Sequence, residues 1–234
     1  MRLERRDGRP LVIGHRGAAA VAPENSREAL EAAVTAGADL VEFDVGPGLV
    51  LAHDAGADGM PLGDALDLLA ATPLGLHIDV KERGYEQAVL EAVDARGLRD
   101  RVLVSTAYAA VGRRVRALAP ELPVAIGYPR DSYGVSRFRW PDAVVAPGRA
   151  ALRGAMPLRI PLLLRAASAN VLALHHTLCS RAAVAAARRA GAPVLAWTAN
   201  DPERVRALAA MGVDGIVSDD PAMALAALGR PTRV

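Results

Sequence analysis

The stretch "LVIGHRGAAAVAPENSREALEAAVTAGADLVEFDV" (residues 11–45) places a helical pattern between two short apolar segments. The segments 11–15 and 40–45 are rich in Val, Leu and Ile and mostly do not alternate with polar residues, as is typical of strands buried on both faces. The intervening "ENSREALEAAVTAG" (24–37) ends at Gly37, where a left-handed helix C-cap favours glycine. The stretch therefore predicts a strand–helix–strand unit of an α/β protein.

The same unit recurs along the chain, with helical patterns that end before Gly97, Gly191 and Gly212. Eight strands with intervening helices in 234 residues predict a single (β/α)8 TIM-barrel domain over residues 1–234, at the small end of the usual size range. Besides the first two strands, the predicted strands are "LHIDVK" (76–81), "VLVST" (102–106), "PVAIGY" (123–128), "VLALHH" (171–176), "PVLAWT" (193–198) and "DGIVSD" (214–219).

The main alternative is an open, doubly wound sheet. Such a sheet would favour a glycine-rich phosphate loop after its first strand, and "GHRGAAAVAPEN" (14–25) does not have the G-x-G-x-x-G spacing. The segment 129–170 is ambiguous: "DAVVAP" (142–147) also resembles a strand, and "MPLRIPLLLRAA" (156–167) contains two prolines. The sequence leaves open which piece forms the sixth strand of the barrel.

Composition limits the class of protein. The net charge is +2 and the pI about 9.0, without a basic run interleaved with aromatic residues, so we expect no nucleic-acid partner. The single cysteine, Cys179, excludes an intramolecular disulfide and indicates a reducing compartment. The N-terminus lacks the apolar region of a secretory signal, and no apolar run reaches the roughly 18 residues of a membrane span. We expect a soluble cytoplasmic protein without an integral membrane segment, of undetermined oligomeric state.

Polar side chains follow or end several of the predicted strands. Because an unpaired polar group on a buried strand costs free energy, and because barrel enzymes collect their active groups at the carboxyl-terminal ends of strands, these residues predict one site. The set comprises His15, Arg16, Glu42, Asp44, His53, Asp79, Lys81 and Trp197.

Glu42 and Asp44 are two residues apart on a strand, so both side chains point to one face, about 7 Å apart along the backbone. Two carboxylates on one inward face raise each other's pKa unless a cation joins them. Asp79 adds a third carboxylate from the next strand, and no cysteine is near. The group predicts a hard cation such as Mg²⁺ or Ca²⁺. Lys81, two residues after Asp79, enters the same cavity.

Each feature also has a structural interpretation. A lone histidine at a strand end is often a hydrogen-bonded core residue, the Asp79–Lys81 pair is a common structural ion pair, and "HRG" (15–17) is compatible with a turn that uses Gly17 for its positive φ. Two further groups are interpreted as structural: His175, His176 and Cys179, which no second cluster supports as a metal site, and Asp219 and Asp220, which precede Pro221 as a helix N-cap.

Taken in order, the motifs resemble the glycerophosphodiester phosphodiesterase family of TIM barrels. The matching stretches are "GHRGAAAVAPENSREALEAAVTAGADLVEFDV", "HD" (53–54), "LHIDVK", "VLAWTAND" and "GVDGIVSDDP". They run from residue 11 to about residue 222 and leave 129–170 unmatched.

The resemblance implies metal-dependent hydrolysis of small glycerophosphodiesters to glycerol 3-phosphate and an alcohol. The nucleophile is left open between the glycerol 2-hydroxyl and a metal-associated water, as is the histidine that acts first. The implied roles are general acid and base for His15 and His53, metal ligation for Glu42, Asp44 and Asp79, phosphate binding for Arg16 and Lys81, and the substrate pocket for Trp197, with Glu24 and Asn25 bracing its first loop.

Three features depart from the family pattern. Asp79 stands where the family usually has Glu, the hairpin between Asp44 and His53 is short, and the insertion that usually follows His53 and Asp54 is nearly absent. The last departure predicts an open site. Two alternatives therefore stand beside the main expectation: a lysophospholipase D-like activity on lipid substrates, and a non-catalytic homologue that binds phosphodiesters or metal.

Overall fold

The computed structural model describes residues 1, 3–54, 56–130 and 142–230. All eight predicted strands are present, with ends within one residue of those expected. The strands are β1 (Leu11–Gly14), β2 (Leu40–Gly46), β3 (Val50–Leu51), β4 (Met60–Pro61), β5 (Gly75–Val80), β6 (Val102–Thr106), β7 (Val124–Tyr128), β8 (Val171–His175), β9 (Val194–Trp197) and β10 (Gly215–Ser218).

Eight of these strands form a closed parallel barrel. The sheet runs in the order β1-β10-β9-β8-β7-β6-β5-β2, and β1 pairs with both β2 and β10, which closes the ring. The short strands β3 and β4 continue as an antiparallel hairpin from the end of β2. The fold is therefore a TIM barrel, as expected, and the open doubly wound sheet is excluded.

Helices connect the strands of the barrel. The helical patterns ending at Gly37 and Gly212 form helices whose C-caps are these glycines, with φ of 78° and 90°. No helix within the described ranges combines the length and apolarity needed to cross a membrane. The helices are α1 (Arg27–Ala36), α2 (Leu62–Ala70), α3 (Glu86–Asp94), α4 (Ala109–Leu118), α5 (Asp142–Ala167), α6 (Arg181–Arg189), α7 (Pro202–Met211) and α8 (Pro221–Ala227).

The ambiguous segment is resolved as helix α5. The strand-like "DAVVAP" begins this helix, and both prolines of "MPLRIPLLLRAA" lie inside it. Met156, Ile160 and Leu164 recur every four residues and are buried with β7 and β8, so tertiary packing outweighs the local strand preference. The sixth strand of the barrel is β8, and residues 131–141 lie outside the described ranges.

Side chains of each barrel strand alternate between two apolar layers. Ile13, Leu103, Ala173 and Val217 belong to one cluster inside the barrel, whereas their neighbours in sequence pack against the helices. Following this alternation toward the carboxyl-terminal ends, the next inward positions carry polar residues. The inward polar positions are His15, Glu42, Asp44, His77, Asp79, Ser105, His175 and Asp219.

Candidate active site

Three carboxylates meet at the carboxyl-terminal mouth of the barrel. Glu42 and Asp44 are on β2, and Asp79 lies beside Asp44 in the parallel register of β5. One oxygen from each lies within 4.8 Å of the others, and this is the one such group of His, Cys, Asp or Glu in the described ranges. The expected cluster is therefore present, and His175, His176 and Cys179 do not form a second one.

Two cations contact this cluster. Lys81 Nζ lies 2.5 Å from Asp44 Oδ1 and 2.6 Å from Asp79 Oδ2, so the lysine enters the cavity as predicted and bridges two carboxylates. Arg16 Nε lies 3.0 Å from Asp44 Oδ2, and its Nη1 donates a hydrogen bond of 2.5 Å to Glu24. Both positive groups predicted to bind phosphate thus face carboxylates in this structure.

The first loop is folded tightly against β2. Arg16 and Asn25 have φ of 49° and 60°, and Gly17 has φ of 89° where a Cβ would lie 2.4 Å from the Ala29 carbonyl carbon. Asn25 donates from Nδ2 to Asp44 Oδ2 (3.1 Å) and accepts the Asp44 N–H at Oδ1 (3.0 Å). Asn25 therefore fixes the orientation of one carboxylate of the cluster.

The electrostatics of the three carboxylates differ. Burial, and then the charge of Asp44, raises the pKa of Glu42 to about 8, although the Arg16 N–H donates to its Oε2 at 2.8 Å. Burial alone would also raise the pKa of Asp79, but Lys81 and the Ser105 hydroxyl lower it to about 2. Without a further cation, the ionised form of Glu42 is thus disfavoured. Two neighbouring cations do not offset the charge of all three carboxylates, and a set of three hard oxygen donors fits a divalent ion such as Mg²⁺ or Ca²⁺.

His15 is anchored by a carboxylate that the sequence did not assign to the site. Its Nδ1 lies 2.5 Å from Asp219 Oδ1, and the Asn200 side-chain amide donates to the other Asp219 oxygen. Burial lowers the pKa of His15, but the hydrogen bond to Asp219 and the charge of Glu42 outweigh it and raise that pKa above its ordinary value. With Nδ1 bound to Asp219, Nε2 is the nitrogen available to a substrate.

The N-cap interpretation of the Asp219–Asp220 pair is correct for one residue only. Asp220 caps α8 by accepting the Met223 N–H at 2.8 Å, whereas Asp219 bonds His15. The signal that identifies Asp219 is the closing pair of strands, since Gly14 pairs with Ser218 and the residues that follow them become neighbours.

The other two predicted residues, His53 and Trp197, have partners outside the carboxylate cluster. His53 follows β3, its side chain is 44% exposed, and within the described ranges its hydrogen bond is to Asp54. Trp197 ends β9 beside His175, with ring centroids 5.1 Å apart, and its Nε1 is buried without a hydrogen-bond partner in the described part of the chain. Among the described residues, neither side chain forms a hydrogen bond or ion pair with Glu42, Asp44 or Asp79.

The barrel has a carboxylate cluster, two cations and a carboxylate-anchored histidine at its mouth, an arrangement typical of a TIM-barrel hydrolase of phosphate esters. The chain belongs to the glycerophosphoryl diester phosphodiesterase family, whose sequence model matches residues 15–48 and 69–223. It is thus a phosphoric diester hydrolase. The match includes residues 129–170, in which no short motif of the family was identified from the sequence. It omits residues 49–68, which include the shortened hairpin that carries His53.

Relatives agree with this assignment. The chain is 28% identical over 233 residues to the Bacillus subtilis protein YhdW, provisionally named a glycerophosphodiester phosphodiesterase, covering 90% of this chain and 94% of that protein. A Silicibacter pomeroyi crystal structure with a provisional name of the same family has a TM-score of 0.77 at 22% identity, covering 99% and 98% of the two chains. An Oleispira antarctica phosphodiesterase in complex with its product sn-glycerol-3-phosphate has a TM-score of 0.71 at 23% identity, covering 94% and 97%.

Proposed function

We propose that the protein hydrolyses glycerophosphodiesters to glycerol 3-phosphate and an alcohol with the help of a divalent cation, Mg²⁺ or Ca²⁺. The observation that carries this proposal is the cluster of Glu42, Asp44 and Asp79, whose oxygens lie within 4.8 Å of one another at the barrel mouth. The sn-glycerol-3-phosphate complex of the Oleispira enzyme supports the product class.

Glu42, Asp44 and Asp79 are the residues that would hold the cation. Such an ion supplies positive charge for the phosphate oxygens and for the charge that develops in the transition state. Asn25 keeps the Asp44 carboxylate in one orientation through two hydrogen bonds. Burial and the charge of Asp44 raise the pKa of Glu42, and a bound cation would favour its ionised form.

Arg16 and Lys81 would bind the phosphate of the substrate. An ammonium group has three donors, and Asp44 and Asp79 take two of those on Lys81, which leaves one N–H for a phosphate oxygen. The guanidinium of Arg16 spans Asp44 and Glu24, and its planar fork can also address an anion. The two side chains thereby orient the substrate relative to the carboxylates.

His15 and His53 would divide the proton transfers. Because Asp219 accepts from Nδ1 of His15, the proton moves at Nε2, and the carboxylate stabilises the imidazolium that forms when His15 takes a proton. His53 is proposed as the second acid–base group from its motif position after β3. One of the two deprotonates the nucleophile and the other protonates the departing alcohol oxygen.

The test is a panel of glycerophosphodiesters (choline, ethanolamine and glycerol headgroups), assayed in chelator and with Mg²⁺ or Ca²⁺. We expect release of glycerol 3-phosphate only with added metal, and losses of about 10²–10⁴-fold in kcat for His15→Gln and His53→Gln. Hydrolysis that is unaffected by chelator would contradict the metal role. An unchanged His53→Gln would remove this histidine from the mechanism.

A second candidate is a lysophospholipase D-like activity, favoured by the near absence of the insertion that usually follows His53 and Asp54. Among the described residues between His53 and α2, the chain forms only the short strand β4, and Val21, in the first loop, is 69% exposed. Comparing kcat/KM for glycerophosphocholine and lysophosphatidylcholine separates the two, since a preference for the lipid would favour the second candidate.

A further inference from the structure

Inside the barrel, below the three carboxylates, lies a chain of hydrogen bonds that the proposed mechanism does not use. His77 Nε2 lies 2.8 Å from Ser105 Oγ, and Ser105 Oγ donates a 2.6 Å hydrogen bond to Asp79 Oδ1. The strand register explains the contacts, because Asp79 is paired with Ser105 across β5 and β6, and His77 is the previous inward position on β5. All three side chains point into the barrel.

The direction of each hydrogen bond follows from the donors available. The Asp79 carboxylate lies 2.6 Å from the Lys81 ammonium and is ionised, so it only accepts. The one hydroxyl proton of Ser105 is therefore directed to Asp79, and Ser105 Oγ accepts from His77. This polarity assigns the proton of the neutral imidazole to Nε2 of His77.

A histidine at this buried position costs free energy, and the cost is explained if its N–H donor is needed. The residue is 4% exposed, and its Nδ1 is buried without a hydrogen-bond partner in the described part of the chain. A buried acceptor without a partner loses the hydrogen bonds it would make with water. A leucine of similar size would fill the space without that cost, as Leu103 and Leu195 do in the same inner layer.

We propose that His77 and Ser105 are positioning residues that hold Asp79 for cation binding. Ser105 occupies Oδ1, whereas Oδ2 lies 2.6 Å from Lys81 Nζ, which also contacts Asp44. His77 fixes the Ser105 hydroxyl by taking its acceptor side. Asp79 has one methylene fewer than the Glu of the family pattern and, in this account, its orientation is set by the neighbouring strand.

This inference rests on the proposed cation site, and its test measures binding directly. Mg²⁺ and Ca²⁺ are titrated separately into chelator-treated protein by calorimetry, and activation by the same metals is followed with glycerophosphocholine. Loss of an outer partner of a metal ligand typically weakens binding about 10–100-fold, so we expect that loss in Ser105→Ala and His77→Leu. At saturating metal, KM for the substrate should change less than about twofold, because neither residue reaches the phosphate.

Two conservative variants and a neighbouring control separate positioning from folding. Ser105→Thr keeps the hydroxyl and His77→Gln keeps an N–H donor, so both should bind metal within about threefold of the wild type. Thr106→Val removes a buried hydroxyl from the next residue of β6, which faces the helices and bonds the Tyr108 N–H, and it should leave metal affinity unchanged. If Ser105→Ala does not fold, His77→Leu carries the test.

The outcomes distinguish this inference from the function on which it rests. Wild-type affinity in both Ser105→Ala and His77→Leu overturns the positioning role and leaves the carboxylate site in place. A wild-type protein that binds neither metal overturns both. If Ser105→Thr or His77→Gln binds metal as weakly as Ser105→Ala and His77→Leu, the shape of the side chain matters and not its hydrogen bond. That result also overturns the inference.

Discussion

Two buried aspartates lie at opposite ends of β2: Asp39 immediately precedes the strand at the amino-terminal end of the barrel, and Asp44 is on the strand at the mouth. Asp39 accepts two hydrogen bonds from Arg230, at 2.6 and 2.8 Å, one from Arg6 at 3.0 Å, and one from the Val12 N–H at 2.8 Å. These partners join the chain termini to β1 and β2. The charge of Asp39 is thus matched by arginines of the same chain, as expected of a structural ion pair.

The mouth has the opposite balance. Three carboxylates share the contacts of Lys81 and Arg16, and Arg16 is also bound to Glu24. The pKa of Glu42 rises to about 8 because burial and Asp44 disfavour its charge. The same residue types therefore form a completed ion pair at one end and, at the other, the carboxylate cluster for which we propose an external cation. The clustering of charged residues alone does not distinguish a structural ion pair from a proposed cation site, whereas the number of cations relative to carboxylates does.

The largest expected effect comes from neutralising one aspartate at each end. At the mouth, Asp44→Asn removes a proposed ligand and the contacts of Lys81 and Arg16, and we expect kcat/KM for glycerophosphocholine to fall by about 10³-fold. At the other end, Asp39→Asn leaves Arg230 without its anion and should reduce the free energy of unfolding by about 3 kcal/mol. The folded Asp39→Asn protein should keep wild-type kcat.

Steady-state kinetics and urea denaturation on both variants provide the measurement. Chelator-treated wild-type protein and Asp39→Asn should both gain about 2.7 kcal/mol of stability when metal is present at about 100 times its Kd, and Asp44→Asn should gain little. A loss of kcat in Asp39→Asn as large as that in Asp44→Asn would contradict the division between the two ends.

The second prediction concerns Asp219, a mouth carboxylate whose partner titrates. Burial lowers the pKa of His15, whereas Asp219 and Glu42 raise it by a larger amount, so the charged histidine stabilises the fold at low pH and this contribution is lost as the pH rises through the raised pKa. In Asp219→Asn the pKa of His15 should fall. The part of the kcat/KM–pH profile that reports the ionisation of His15 should therefore move to lower pH. In addition, kcat should fall by about 10²-fold, because the imidazole ring loses its orientation.

Denaturation at several pH values gives an independent check on the same variant. The wild type should be more stable than Asp219→Asn by the largest margin below the ordinary pKa of histidine, about 6.5, and the margin should shrink toward alkaline pH. His15→Gln serves as the control. When Asp219→Asn is added to this variant, the change in stability should not depend on pH in the same way, because the titrating histidine is absent. If the kcat/KM–pH profile of Asp219→Asn is not shifted, a group other than His15 controls that profile.

The sequence predicted features that depend on local residue patterns, and it missed features that depend on how distant strands pair in the closed barrel. The strands were readable because buried parallel strands are continuous apolar runs, and the i, i+2 spacing placed Glu42 and Asp44 on one face. Asp219 was missed because it lies 204 positions from His15 and becomes its neighbour only when β10 pairs with β1. The bond from Ser105 to Asp79 likewise depends on a register between β5 and β6 that no local pattern gives.

The smallest expected effect comes from exchanging the type of cation at each end. Lys81 is the only lysine of the chain, and its compact ammonium lies within 2.6 Å of two carboxylates. An arginine there is longer and planar, so Lys81→Arg should lower kcat/KM about 10-fold with little change in stability. At the other end Arg230→Lys replaces a two-pronged contact with a point charge, which should cost about 1 kcal/mol of stability and leave kcat unchanged. Wild-type activity in Lys81→Arg would mean that the mouth requires positive charge but not its compact form.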